Sequence, residues 1–230
     1  MTREIYRVRL GEICFDRKMI RRIVDIGLPA AIQQSITSFS NVIVQSYINY
    51  FGTAAMAGYS ATLRVDGFLQ LPLQSFNMTI TTFVGQNIGA KEYKRVKKGI
   101  FTSWLMCSGI ILVGSVIMFL KAPSIIGIFT EDAAVISVGS SMIRIFGSAY
   151  LFLPIIQILN GALRGAGRSK VPMYFMLGCF VLLRQIYLMI AVPMTKNVSV
   201  VFAGWPVTWV VCAIGMLVYY FKVDWLPKEE

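Results

Sequence analysis

Residues 67–90 read GFLQLPLQSFNMTITTFVGQNIGA, a run without a single Asp, Glu, Lys or Arg. A bilayer core about 30 Å thick is crossed by roughly 20 mostly apolar helical residues, so this run reads as a membrane span. Working outward, residues 26–63, 99–120, 145–163 and 197–221 are equally free of charge. With Arg144 interrupting one span and Arg184 another, six helices are expected, near 24–50, 54–86, 99–120, 133–162, 171–194 and 198–221. The composition agrees, at 56% hydrophobic and 14% charged with a mean hydropathy of +0.66, where soluble domains carry about a quarter charged residues. The predicted fold class is therefore an all-α integral membrane protein, a bundle of six transmembrane helices.

The basic residues set the expected topology. Seven Lys or Arg fall in 1–23, five in 91–98, three in 164–170 and two after 221, whereas the opposite loops hold only Lys121 and Lys196. This alternation fits six crossings with both termini in the cytoplasm, and the expected location is the plasma membrane. A net charge of +11 could suggest nucleic acid, but the positive residues sit where chains leave a bilayer, not in a basic stripe interleaved with aromatics. The expected parts are a basic amphipathic lead over 1–22, a membrane lobe over 23–222 and a cytoplasmic tail over 223–230. In the lead, Ile13, Phe15, Met19, Ile20 and Ile23 alternate with Arg17, Lys18, Arg21 and Arg22. That suits a short interfacial helix or, equally, a linker entering the first span. The lead does not read as a secretory signal.

Catalysis and metal binding have few candidates. There is no His, which removes the commonest general base and metal ligand. Cys14, Cys107, Cys179 and Cys212 stand far apart without a Cys-x-x-Cys. No enzyme activity, cofactor or metal is expected.

Polar residues recur at helical spacing inside two spans. The first carries Gln34, Thr37, Ser38, Asn41 and Gln45, and the second Asp66, Gln70, Gln74, Asn77 and Thr81. Intervals of three and four place each set on one side of a helix. Unpaired amides facing lipid would cost on the order of a few kcal/mol each, so the stripes line either a helix contact or a water-filled cavity. Gln157 in the fourth span joins the candidate cavity-lining set. Asp66 is the one acidic residue deep inside a span, about 18 Å along a helix starting near 54. Two roles are open to it: exchange of a proton or sodium ion, or a fixed ion pair with Arg144 or Arg184. Pro29, Pro72, Pro154 and Pro206 fall in or near spans, where proline removes a backbone donor and bends the helix. Gly85, Gly89, Gly161, Gly165 and Gly167 cluster where the second and fourth spans return to the basic side, suited to close helix approach or tight turns.

These residues carry a resemblance. Gly27-Leu28-Pro29, Gly52, Pro72 and the run Phe83-Val84-Gly85-Gln86-Asn87-Ile88-Gly89-Ala90, with Leu163-Arg164-Gly165-Ala166-Gly167 before Lys170 and Pro172, resemble the carboxy-terminal half of a MATE (multidrug and toxic compound extrusion) transporter. The likeness covers nearly the whole chain from about residue 20. It implies one six-helix lobe of a secondary antiporter that exports organic cations or amphiphilic drugs in exchange for protons or sodium. Its partners would be that substrate, the coupling ion, membrane lipid and a first lobe or second copy. Only spans resembling the seventh to twelfth are supplied, which is compatible with a truncated product or a half-sized subunit. A lobe that moves a lipid-linked molecule, and a non-transporting structural subunit, are the other readings. The chain also departs from the pattern. The place of the cation-binding Glu found in some members is Thr37, and the stretch where they carry an Asp ahead of the Leu-Arg-Gly motif holds only apolar residues and Pro154 before Gln157.

Overall fold

The computed structural model describes residues 16–195 and 197–226. Expectations resting on residues 1–15, Lys196 and 227–230 lie outside that range. The helices are α1 (Arg17–Asn49), α2 (Thr53–Gly89), α3 (Tyr93–Leu120), α4 (Ala122–Gly127), α5 (Ala133–Gly147), α6 (Phe152–Gly165), α7 (Lys170–Leu177), α8 (Arg184–Thr195) and α9 (Val198–Lys222), with a π-helical segment, Gly178–Leu183, joining α7 to α8. Segments α3, α7–α8 and α9 are long and apolar enough to cross a membrane, and α5 with α6 forms a fourth candidate span broken by a 59° bend. Helices α1 and α2, of 33 and 37 residues, are about 50 and 55 Å long at 1.5 Å per residue. They exceed the bilayer core but carry the polar stripes that lower their hydropathy. The result is a six-helix membrane bundle.

Of the lead, the structure describes residues 16–22, which form the start of α1. Asp16 caps α1, its carboxylate accepting from the backbone N–H of Lys18 at 2.8 Å and Met19 at 3.3 Å, and the helix runs unbroken from Arg17 into the span. At the other end, residues 223–226 are tied back to the bundle. Trp225 is buried against Tyr220 with ring centroids 5.5 Å apart, and the Arg168 guanidinium donates to the Asp224 carbonyl at 3.3 Å.

The break in the fourth span has a local cause. Pro154 has no N–H to offer the Tyr150 carbonyl, which instead accepts from Leu153 N at 3.0 Å, while Ala149 N bonds to Phe146 O at 2.9 Å. These i to i+3 contacts tighten the chain over 148–151. Pro154 then sits in the first turn of α6, where a missing donor is tolerated. Pro29, Pro72 and Pro206, by contrast, lie inside continuous helices.

Helix α2 is the axis of the bundle and packs most extensively on α6, α5 and α3. Its crossing with α6 depends on glycine. A Cβ on Gly161 would lie 2.5 Å from the Asn77 carbonyl, and one on Gly165 would lie 2.4 Å from the Thr81 carbonyl. Among lipid-embedded helices such close backbone approach, not the hydrophobic effect, provides the association energy. Both α2 and α6 end in the same turn. Gly167, at φ +76°, sends Arg168 N to Leu163 O at 2.8 Å. Lys91, at φ 60°, sends Glu92 N to Asn87 O at 2.8 Å.

Candidate functional site

The half-buried Asp66 carboxyl is the centre of the candidate site. It lies on α2 one turn before Gln70, whose Nε2 donates to its Oδ2 at 3.2 Å, and the Tyr150 hydroxyl donates to its Oδ1 at 2.6 Å. Tyr150 comes from the break between α5 and α6, so the same bend that interrupts the span delivers a phenol to the carboxyl. The Tyr150 ring is completely buried. It stacks on Trp209 at 5.7 Å and meets Phe146 edge-on at 6.2 Å. Trp205, 5.3 Å from Phe146 and 6.0 Å from Tyr59, extends this aromatic cluster. A carboxyl held by two neutral donors in such surroundings is chemically able to take up a proton or a small cation.

Of the two roles open to Asp66, the ion pair with Arg144 or Arg184 is not what this geometry shows. Arg144 is exposed and lines a 640 Å³ cavity with Ser137, Ser140 and Ser141, because the inward ridge of α5 is formed by Val135, Gly139, Met142, Ile143 and Phe146. Arg184 is buried, but its Nη2 donates to Ser40 Oγ at 2.9 Å and Asn41 Oδ1 at 2.8 Å, and its guanidinium lies 5.4 Å from the Trp205 ring centroid. It opens α8 directly after the π-helical segment, whose wider turn changes the side that the following residues present. Neutral oxygens on α1 and an aromatic face therefore hold this cation. Among the described residues no cluster of acids and thiols suits a metal ion.

The α1 stripe is partly displaced. Its buried line is Gln33, Ser40, Val44 and Ile48, with Thr37 half-buried and back-bonded to the Gln33 carbonyl at 2.8 Å. Gln34, Ser38, Asn41 and Gln45 stand one residue further round and are exposed. On α2, Asn77 reaches α6, donating to the Gln157 carbonyl at 2.7 Å and to its Oε1 at 3.3 Å, while Gln74 is exposed.

Of the motif residues, Pro29 and Leu163 are buried and Gly27, Gly85, Gln86 and Gly89 are exposed. Arg164 donates to Gln33 Oε1 at 2.9 Å, and Gln33 and Asn160 both donate to the Met176 sulfur, at 2.8 and 3.0 Å. The Leu-Arg-Gly motif thus ties α6 to α1 and α7. Tyr150, Gln33, Ser40 and Gln185, whose Nε2 donates to Ser40 Oγ at 2.8 Å, were outside the sequence-based set. The spacing Gln33, Thr37, Ser40 was the available signal for two of them.

The family model MatE matches residues 29–190. The chain belongs to the MATE family. The probable multidrug resistance protein YoeA of Bacillus subtilis is 24% identical over 68% of this MATE chain and 34% of its own length. The probable multidrug resistance protein NorM of Thermotoga maritima is 28% identical over 74% of this chain and 37% of its own. Among solved structures, the fold superimposes on the MATE transporter ClbM in complex with Rb+ with a TM-score of 0.82 at 22% identity, covering 92% of this chain and 48% of that one. A MOP superfamily transporter from Pyrococcus furiosus, whose binding pocket is described as having reverse polarity, gives a TM-score of 0.83 at 18% identity over 96% of this chain and 50% of that one. The chain spans about a third of the length of the curated relatives it matches, and about half of the solved transporters.

Proposed function

We propose that this MATE chain is one lobe of a secondary antiporter that exports organic cations or amphiphilic drugs in exchange for protons or sodium, working against a first lobe or a second copy of itself. The names of its relatives support drug export, and drug transport is what related MATE chains are described as doing. The observation that carries the coupling role is the setting of Asp66, a deep carboxyl bonded to Tyr150 and Gln70 and not to an arginine. A fixed ion pair would neutralise it permanently, whereas neutral donors leave its proton or cation exchangeable. In this reading, Gln34, Thr37, Asn41, Gln45, Gln70, Gln74, Asn77 and Gln157 line the cavity. The exposure of Gln34, Asn41, Gln45 and Gln74 supports it, because a lobe lacking its counterpart leaves cavity-facing amides uncovered. Both termini are assigned to the cytoplasm of a plasma-membrane protein by the placement of Lys and Arg.

The test is reconstitution of the chain, alone and with a complementary six-helix lobe, followed by uptake of a fluorescent dye cation under an imposed proton or sodium gradient. Gradient-driven movement that disappears in Asp66→Asn, with folding unchanged, is the expected result. Absence of movement with every partner removes the transport reading. Unchanged gradient dependence in Asp66→Asn, with lower stability, makes the carboxyl structural.

A further inference from the structure

The end of the bundle where α3 begins and α9 ends carries a feature that transport does not use. Lys94 and Lys97, one turn apart on α3, and Lys222 at the end of α9 line an open cavity of 860 Å³ that residues 223–226 border on one side. Asp224 is the acidic residue among its described lining groups, so the basin is net positive. A second cavity of 330 Å³ adjoins it, an apolar slot between α3, α6 and α9 walled by Phe101, Trp104, Ile155 and Leu217. The two share Tyr220 and Phe221. Phe101 lies about 11 Å further along α3 than Lys94, so the basin sits at the level where the helix leaves the bilayer and the slot at the level of the acyl chains. Phe101 and Phe221 are exposed, which opens the slot sideways towards lipid. Trp104 contributes a buried indole Nε1 with no hydrogen-bond partner in the protein.

We propose that basin and slot together bind one anionic phospholipid, with its phosphate held by Lys94, Lys97 and Lys222 and an acyl chain lying against Phe101, Trp104 and Leu217. Charge complementarity selects the headgroup. The slot selects a lipid over a soluble anion, which would fill only the basin. The structure also shows why the basin persists. Trp225 packed on Tyr220, and Arg168 bonded to the Asp224 carbonyl, hold its far wall in place. This inference stands independently of the transport reading.

The experiment is native mass spectrometry of the full chain in mild detergent, titrated with phosphatidylglycerol or with phosphatidylcholine of the same acyl chains. At least tenfold better retention of phosphatidylglycerol is expected, since each lysine near a headgroup favours the anionic lipid by roughly fivefold and Asp224 offsets one of the three. In Lys94→Gln/Lys97→Gln/Lys222→Gln the preference falls to about one. Equal retention of both lipids by the unaltered chain overturns the proposal, as does a preference that survives the triple substitution. Displacement of phosphatidylglycerol by millimolar glycerol 3-phosphate would mean a soluble-anion site and also overturns it. A readout that leaves the lysines intact is tryptophan quenching in nanodiscs by phosphatidylglycerol brominated on its acyl chains. Quenching should drop when Trp104→Phe is introduced, and an unchanged value counts against the slot.

Discussion

Replacing Gly161 by Ala tests whether the α2–α6 crossing holds the lobe together. The added Cβ would stand 2.5 Å from the Asn77 carbonyl oxygen and 2.5 Å from Ile80 Cγ2, where ordinary contacts begin at 3.4 Å. The carbonyl belongs to helix backbone and cannot swing aside, so the two helices must separate by nearly 1 Å locally. Overpacking of this kind costs about 1–3 kcal/mol, and the better helix propensity of Ala returns up to about 1 kcal/mol. Gly109→Ala is the matched control. That glycine lies inside α3 with nothing within 4 Å of its Cβ position, so only the propensity gain applies. The gap between the two variants is therefore roughly 1–3 kcal/mol, with Gly161→Ala the less stable. Reversible denaturant unfolding in micelles, followed by tryptophan emission, measures it. Separation of the helices should also weaken the Asn77 to Gln157 hydrogen bond, which is 2.7 Å long at the carbonyl. Equal stability of the two variants would refute the claim that glycine-mediated approach organises the bundle.

The remaining predictions concern the turns and the carboxyl. Lys91 adopts φ 60° in the same turn that Gly167 makes at φ +76°; Lys91→Gly is expected to stabilise the lobe by about 1 kcal/mol and Gly167→Ala to destabilise it by about as much, with a reversed order in unfolding midpoints counting against the assignment. Tyr150→Phe removes the 2.6 Å bond to Asp66 and should lower stability by about 1–3 kcal/mol. Most of that loss should vanish when the substitution is repeated in an Asp66→Ala background, which removes the acceptor, and strictly additive effects would show that the two side chains do not act together.

Much of the fold was legible before any coordinates. The ends of α3, α7–α8 and α9 fall within a few residues of the expected spans, apart from the start of α3, which begins at Tyr93 and not near 99. Lys94, Arg95, Lys97 and Lys98 form its first turns, because a helix continues past the hydrocarbon boundary once its backbone bonds are in place. The fourth span was read as one helix. Pro154 signalled a disturbance there, but whether a proline bends a helix or starts a new one depends on which carbonyls neighbouring groups can satisfy.

The site was legible in part. Asp66, Gln70, Asn77 and Gln157 were singled out, and the structure bonds Asp66 to Gln70 and Asn77 to Gln157. Tyr150 was missed because an apolar span containing a tyrosine is ordinary. An arginine partner was one of two roles open to Asp66; the structure bonds Arg184 to Ser40 and Asn41 instead, and sequence gives no direction for a side chain on another helix.

What the amino-acid order determined by itself is the set of segments that enter a bilayer, their basic flanks, the family motifs and the presence of one deep acid. These depend on transfer of each segment from water to hydrocarbon, a property of composition that needs no partner. Only the tertiary structure decided that the break at 148–151 brings a tyrosine to that acid, that Arg184 turns to Ser40 and Asn41, and that a basic basin meets an apolar slot. Each of these depends on how helices rotate and cross. Those rotations follow from the close contacts of residues far apart in the chain, such as Gly161 with Asn77.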